Sequence, residues 1–205
     1  GLEPLASLML MQQKTKGLPE AEAAAYVNPE LEVNSADEAL AGAMDIIAEM
    51  ISENAGLRQK LREKIQQTGI ISTSLPEERE NTDEGKVFLM YKDYSEPVRT
   101  LPSHRILAIN RGERLDCLKV SLDVDDEKML QLIEKEYIKG NSIFRQLLQE
   151  ACADSWKRLL EPSLERQLRS QLTEAAEKQA ISIFGTNLKQ LLLQAPLAGY
   201  TVMGL

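Results

Sequence analysis

The chain has little that could do chemistry. Its 205 residues include one histidine and two cysteines. A single histidine excludes the HExxH zinc motif. Cys117 and Cys152 lie 35 positions apart with no CxxC, which excludes a zinc ribbon and a disulfide framework and leaves buried, reduced thiols of the cytosolic kind as the expectation. There is no GxxxxGK and no GxGxxG, so no glycine-rich phosphate loop. No apolar run approaches the roughly 18–20 residues that span a bilayer. The chain starts at Gly1 without a basic-then-apolar leader, and reads as an excised portion of a longer protein. Aromatics make up only 4%, and glycine (11) and proline (8) are sparse.

What is present is helix-forming. Long windows of Ala, Leu, Glu, Gln and Lys lose little side-chain freedom in a helix, so the composition points to a mainly α protein. The net charge of −8 is carried by residues 1–100, with 10 basic against 18 acidic side chains, while residues 101–205 balance at 14 each. An acidic balance argues against a major nucleic-acid platform, because non-specific affinity comes from neutralising phosphates with Lys and Arg. A local basic patch remains compatible with it.

Leu5, Leu8, Met9 and Gln12 outline a first helix that stops before Gly17-Leu18-Pro19. A short Ala-rich helix over Glu20 to Tyr26 ends at Asn28-Pro29. Ser35 and Glu38 form a capping box, followed by Leu40, Met44, Ile47 and Ile51 at helical spacing. A charged helix then runs from Arg58 to Gln67, with Gly69 as its C-terminal cap. Residues 72–86 are apolar-poor and read as a mobile loop. Val87 to Tyr94 is compatible with a strand or a short helix. Pro102 or Ser103 starts a helix that Gly112 ends. Leu118, Val120, Leu122 and Val124 alternate with polar residues and form the one convincing strand, whose partner the pattern does not identify. Helices follow from Lys128 to Lys139 and along the stripe Ile143, Leu147, Leu148, Ala151, Ser155, Leu159. Pro162 suits a helix start, and a stretch to Gln194, stopped by Ala195-Pro196, carries a break near Leu172–Thr173.

Candidate sites are few. Ser103 and His104 could pair as nucleophile and base, but a capping or packing role fits the histidine better. The run Asp123 to Glu134 mimics part of an EF-hand loop, yet Lys128 stands where the turn needs glycine, so acidic residues at a helix N-terminus are expected instead. The acidic stretch Glu77–Glu84 reads as a solvated loop. Basic residues gather at Arg99, Arg105, Arg111 and Arg114, and again at Lys157, Arg158, Arg166 and Arg169. These are either phosphate contacts or a solvated, ion-paired face. Trp156 sits just off the apolar stripe, where it would cover a helix junction.

The most specific segment is PSHRILAINRGE, Pro102–Glu113, which follows YKDYSEPV and precedes CLKVSL. DSWKRLLEPSLERQLRSQLTEAAEKQA (Asp154–Ala180) and NLKQLLLQAPLAGYTVMGL (Asn187–Leu205) come later, with GLEPLA and ALAGAMDIIAEMISE near the start. In this order the motifs resemble Tex, the bacterial transcription accessory family related to eukaryotic Spt-type elongation factors. The resemblance implies a multi-helical, elongated fold with one short strand or small β element and a helix-turn-helix-like central part. The segments would be an N-terminal helical region (1–86), a linker with the Pro-Ser-His-Arg motif and the strand (87–125), and a central helical region (126–205).

Members of that family are cytoplasmic and multi-domain. They add a resolvase-like (YqgF) domain, helix-hairpin-helix elements and an OB-type RNA-binding domain, and TVMGL resembles the opening of the first YqgF strand. The family's catalytic residues map onto no position here. The expected function is a non-catalytic helical scaffold, with no cofactor, no metal and no membrane. Its expected partners are nucleic acid, RNA in the first place and mainly through the other domains, and the transcription machinery. The alternative is a direct nucleic-acid-binding, helix-turn-helix-like module within residues 126–195. Arg105, Arg111, Lys157 and Arg158 are the candidate contacts. Pro102, Ser103, His104, Arg105 and Gly112 are the structural motif, with Ile106, Leu107 and Ile109 buried beneath it.

Overall fold

A computed structural model describes residues 1–194 together with Gly199 and Met203. The expected stop at Ala195-Pro196 lies outside the described residues, as does the strand-like TVMGL apart from Met203. In chain order the elements are α1 (Glu3–Met11), α2 (Pro19–Ala23), α3 (Ala36–Glu53), α4 (Ala55–Thr68), β1 (Ile70–Ser74), α5 (Glu77–Glu80) and α6 (Asp83–Val87). They continue with β2 (Asp93–Pro97), α7 (Ser103–Arg114), β3 (Lys119–Asp123), α8 (Asp126–Tyr137), α9 (Arg145–Asp154), a π-helical segment (Ser155–Leu160) and α10 (Glu161–Leu192). The protein is mainly α, with one small antiparallel sheet in the order β2-β1-β3.

The chain forms two compact units, each assembled from separate stretches that cut across the boundaries at 86 and 125. One comprises Gly1–Ser72, Ser95–Thr100 and Ser121–Arg169; the other comprises Thr73–Tyr94, Leu101–Val120 and Ser170–Leu205. Boundaries of the division fall within each of the three strands and within α10.

In the first unit α3 is the central element. Ala39, Leu40, Ala43, Ile47, Ala48 and Ile51 are all buried on it. The alanines allow α1, α2, α9 and the π-helical segment to approach closely. Ser35 Oγ accepts the Glu38 amide at 3.1 Å, which is half of the capping box. The other half is displaced by one residue: the Glu38 carboxylate accepts the Asn34 amide, at 2.7 Å, rather than that of Ser35. Asn54 separates α3 from α4 and caps the latter through the Leu57 amide. Gly69 is the C-cap of α4, as expected, its amide donating to the Ile65 carbonyl at 2.7 Å. Its backbone is extended (φ −68°, ψ 150°), and glycine is required there because a Cβ would lie 2.6 Å from the Ile65 carbonyl.

Pro162 does not start a helix. The chain passes from α9 through the π-helical segment into α10 without a break. The Glu161 amide reaches back five residues to the Trp156 carbonyl, and this wider turn accommodates a proline that lacks an N–H and would crowd a carbonyl four residues back.

In the second unit the core is Leu75, Phe88, Tyr91, Ile106, Ile109, Cys117, Leu118 and Ala176. The stretch 72–86 is not a loop. It holds the end of β1 and the short helices α5 and α6, fixed by the buried Thr73 hydroxyl donating to the Tyr91 carbonyl (2.6 Å) and by Thr82 capping α6. A Lys92–Glu80 ion pair at 2.7 Å closes it. Val87–Tyr94 holds the last residue of α6, a 3₁₀ turn at Leu89–Tyr91 and the first two residues of β2. Gly112 lies inside α7, which runs two residues further, to Arg114. The break expected near Leu172–Thr173 is absent: Asn110 Nδ2 on α7 donates to Thr173 Oγ1 at 2.8 Å, and α10 continues for about 48 Å at 1.5 Å per residue.

Candidate nucleic-acid interface

Each basic candidate can be judged by what its charge already touches. In the first unit Lys157 and Arg158 are carried by the π-helical segment. Trp156 beside them is fully buried, and its Nε1–H donates to Asp126 Oδ1 at 2.9 Å. Lys157 Nζ donates to Asp126 Oδ2 (2.6 Å) and to Glu161 (3.1 Å). Arg158 forks onto Asp154 through Nε and a terminal nitrogen, and reaches Asp45 at 3.1 Å. The hydrogen bond from Lys157, and then that from Trp156, holds the Asp126 carboxyl below its ordinary value, while Asp126 pushes Lys157 up and Asp154 pushes Arg158 up. Both cations are paired in place, so a phosphate would compete with a carboxylate for each of them.

In the second unit α7 carries the other two. Pro102 precedes it in an extended conformation and supplies no side-chain cap. Ser103 is the first helical residue, and its hydroxyl donates to Gln179 Oε1 rather than to the imidazole next to it. His104 is exposed, so the sequence expectation of a packed or capping histidine does not match its position. Arg105 donates to the Tyr94 hydroxyl (2.8 Å) and stacks 5.3 Å from the Tyr94 ring centre, with Tyr91 edge-on to that ring. It is a structural arginine. Ile106 and Ile109 are buried as expected, while Leu107 is only half-buried. It lines, with Val87, Phe88, Met90, Tyr91, Ala108 and the exposed Arg111, an open groove of about 390 Å³.

The acidic candidates resolve into capping. Asp125 accepts the Lys128 amide (3.2 Å) as the N-cap of α8, and Asp123 accepts from the Ser72 and Ser121 hydroxyls. Among the described residues no cluster of three or more His, Cys, Asp or Glu side chains could hold a metal ion. Cys117 and Cys152 are free and buried, and burial pushes the Cys152 thiol up to about 12.

The sequence reading passed over α4. Arg58 and Arg62, one turn apart, line a pocket of about 210 Å³ with Ala55, Gln59 and Gln167. Arg58 is anchored by the Ser52 carbonyl (3.0 Å) and the Ser163 hydroxyl (2.7 Å). The available signal was the i, i+4 spacing of two arginines flanking the buried Leu57, Leu61 and Ile65 stripe.

Residues 14–184 match the family described as Tex central region-like, and the chain belongs to that family. It is 42% identical over its whole length to protein YdcI of Bacillus subtilis and 37% identical to the transcriptional accessory protein Tex of Neisseria gonorrhoeae. It spans 28% and 27% of those two proteins. Over 87% of the chain it is 32% identical to the human S1 RNA-binding domain-containing protein 1, of which the match covers 19%. No helix among the described residues is long and apolar enough to cross a membrane.

Proposed function

We propose that this chain is a non-catalytic helical scaffold within a cytoplasmic transcription accessory protein that associates with RNA, mainly through parts of that protein outside this chain. The observation that carries the reading is the ion-paired state of Lys157 and Arg158: these adjacent cations already face Asp126, Glu161, Asp154 and Asp45 on the surface of the first unit. Two relatives, the transcriptional accessory protein Tex of Neisseria gonorrhoeae and the human S1 RNA-binding domain-containing protein 1, support the process. The exposed His104 and the engagement of Ser103 with Gln179 support the absence of catalysis.

The helix-turn-helix alternative would use α8 and α9. Arg145 at the start of α9 donates to the Gly140 carbonyl and to Asn141, and Gln146 donates to Glu150. Side chains committed to their own turn are poor readers of base edges. The test is a titration of the 205-residue chain against single- and double-stranded RNA and DNA at two salt concentrations. Affinity should be weak, no tighter than the roughly 10⁻⁴–10⁻⁶ M of non-specific contacts, and should fall with salt. Salt-resistant, sub-micromolar binding of one defined sequence would refute the scaffold reading in favour of a base-reading module.

A further inference from the structure

We propose that the pocket between α4 and the first turns of α10 binds a phosphate group of a nucleic-acid strand, with Arg62 and Arg58 as the cationic contacts and Gln167 as a neutral donor. This rests on the nucleic-acid association argued above and names where this chain makes it. Four features of the pocket converge. Its lining residues, Ala55, Arg58, Gln59, Arg62 and Gln167, include no carboxylate, although the chain as a whole carries −8. Neither arginine makes an ion pair among the described residues, in contrast to Lys157 and Arg158. Like charges one turn apart on a helix repel, and an anion between them removes that repulsion. Finally, α4 has no acidic residue in its first turn, so the positive end of its dipole beside Ala55 adds to the same field.

The geometry suits an oxyanion. The Ser52 carbonyl and Ser163 hydroxyl occupy one terminal nitrogen each of Arg58, which fixes the plane of its guanidinium and leaves further N–H donors unused. Glu63 holds the Gln59 amide nitrogen at 3.0 Å, so Gln167 is the carboxamide left to donate. Lys60 is taken by Glu136 at 2.9 Å and does not contribute. Arg62, half-buried and unpaired, completes a fork onto phosphate oxygens. No aromatic side chain lines the pocket, so there is no platform for stacking a base. The contact is therefore to the backbone and independent of sequence.

The test uses the 205-residue chain and a fluorescein-labelled oligo(U) of about twelve nucleotides, followed by anisotropy from about 50 to 200 mM salt. Wild-type affinity should fade with salt. Arg62→Gln should weaken binding several-fold at the lowest salt and flatten the log–log salt slope by about 0.7, the value of one lost phosphate contact on a single strand. Gln167→Glu, which places a carboxylate in the pocket, should weaken it further. Lys157→Gln should leave affinity and slope unchanged, and thermal melts check that every variant is folded. Unchanged affinity and slope in Arg62→Gln and Gln167→Glu would overturn the pocket while leaving nucleic-acid association by this region standing. Absence of wild-type oligo(U) binding at the lowest salt would overturn that association and the proposal together. If inorganic phosphate alone then shifts the Arg62 Nε–H resonance, the site takes free phosphate and the nucleic-acid assignment is overturned.

Discussion

Replacing Gly112 by alanine separates two roles that a glycine near a helix end can have. If Gly112 merely loosened the end of α7, alanine would help, because it is better in a helix by about 1 kcal/mol. The structure gives it another task. A Cβ at this position would lie 2.6 Å from Leu118 Cδ1, 2.8 Å from Leu118 Cγ and 3.0 Å from Phe88 Cδ1. Leu118 and Phe88 are 3% and 4% exposed, so neither has open solvent to retreat into. The Cys117 and Leu118 amides also donate to the Gly112 carbonyl, at 2.9 and 3.1 Å, which pins the approach to β3 against the same residue. Forcing a methyl into such a site costs about 1–3 kcal/mol, so Gly112→Ala should lose a net 1 kcal/mol or so, up to about 2. For a chain of this size that lowers the melting temperature by about 2–8 °C.

Gly185, two turns before the end of α10 with nothing within 4 Å of its would-be Cβ, is the control. Gly185→Ala should stabilise by up to about 1 kcal/mol. Thermal and urea unfolding followed by far-ultraviolet circular dichroism read both variants. Equal stability of the two would refute the close approach between α7 and Leu118.

Other substitutions test the remaining assignments. His104→Ala should change stability by less than about 0.5 kcal/mol, as at an exposed position with no partner, and a larger loss in urea unfolding would contradict its placement. Trp156→Phe should lose about 1–3 kcal/mol, through the missing bond to Asp126 and the smaller ring, and a neutral result would refute the buried indole contact. Asp126 has a depressed folded-state pKa, so its contribution is fully present above the ordinary carboxylate value of 3.8 and is lost as pH falls below it. Asp126→Asn should therefore flatten the acid limb of a stability–pH curve. Cys152 is raised from 9.0 to about 12, so its contribution is present below pH 9.0 and declines as pH rises towards the folded value. A thiol-reactive dye should label Cys117 and Cys152 only on unfolding, and fast native labelling of either would contradict their burial.

Helices with a cap and an apolar stripe were legible from the sequence; elements that owe their form to distant residues were not. Ser35 and the spacing of Leu40, Ile47 and Ile51 announce α3 because cap and stripe are local. β3 was legible by its alternation, but β1 was hidden: Ile71 and Thr73 are its only buried positions, and its five residues directly follow a helix. Its partners, β2 and β3, lie some 20 and 50 residues further along the chain. Segment 72–86 looked like a loop because it buries few apolar side chains. It is ordered by polar links, the Thr73 hydroxyl to Tyr91 and Glu80 to Lys92, whose partners a window of neighbouring residues does not contain. Pro162 was a misleading start signal, since the π-helical turn before it lets the preceding helix run on through the proline.

The candidate site was the least legible part, for an electrostatic reason. A sequence shows which charges are neighbours along the chain, whereas affinity for phosphate depends on which cations lack an anion in space. Lys157 and Arg158 sit side by side, and their acids come from Asp126 on α8 and Asp45 on α3 as well as from Asp154 and Glu161 nearby. Arg58 and Arg62 look diluted by Glu63 in the run RQKLREK, yet Glu63 is exposed and turned to Gln59. Folding thus inverts the apparent ranking. The cations most crowded in sequence are ion-paired on the surface of the first unit, whereas Arg58 and Arg62, from an ordinary charged helix, face no carboxylate in their pocket.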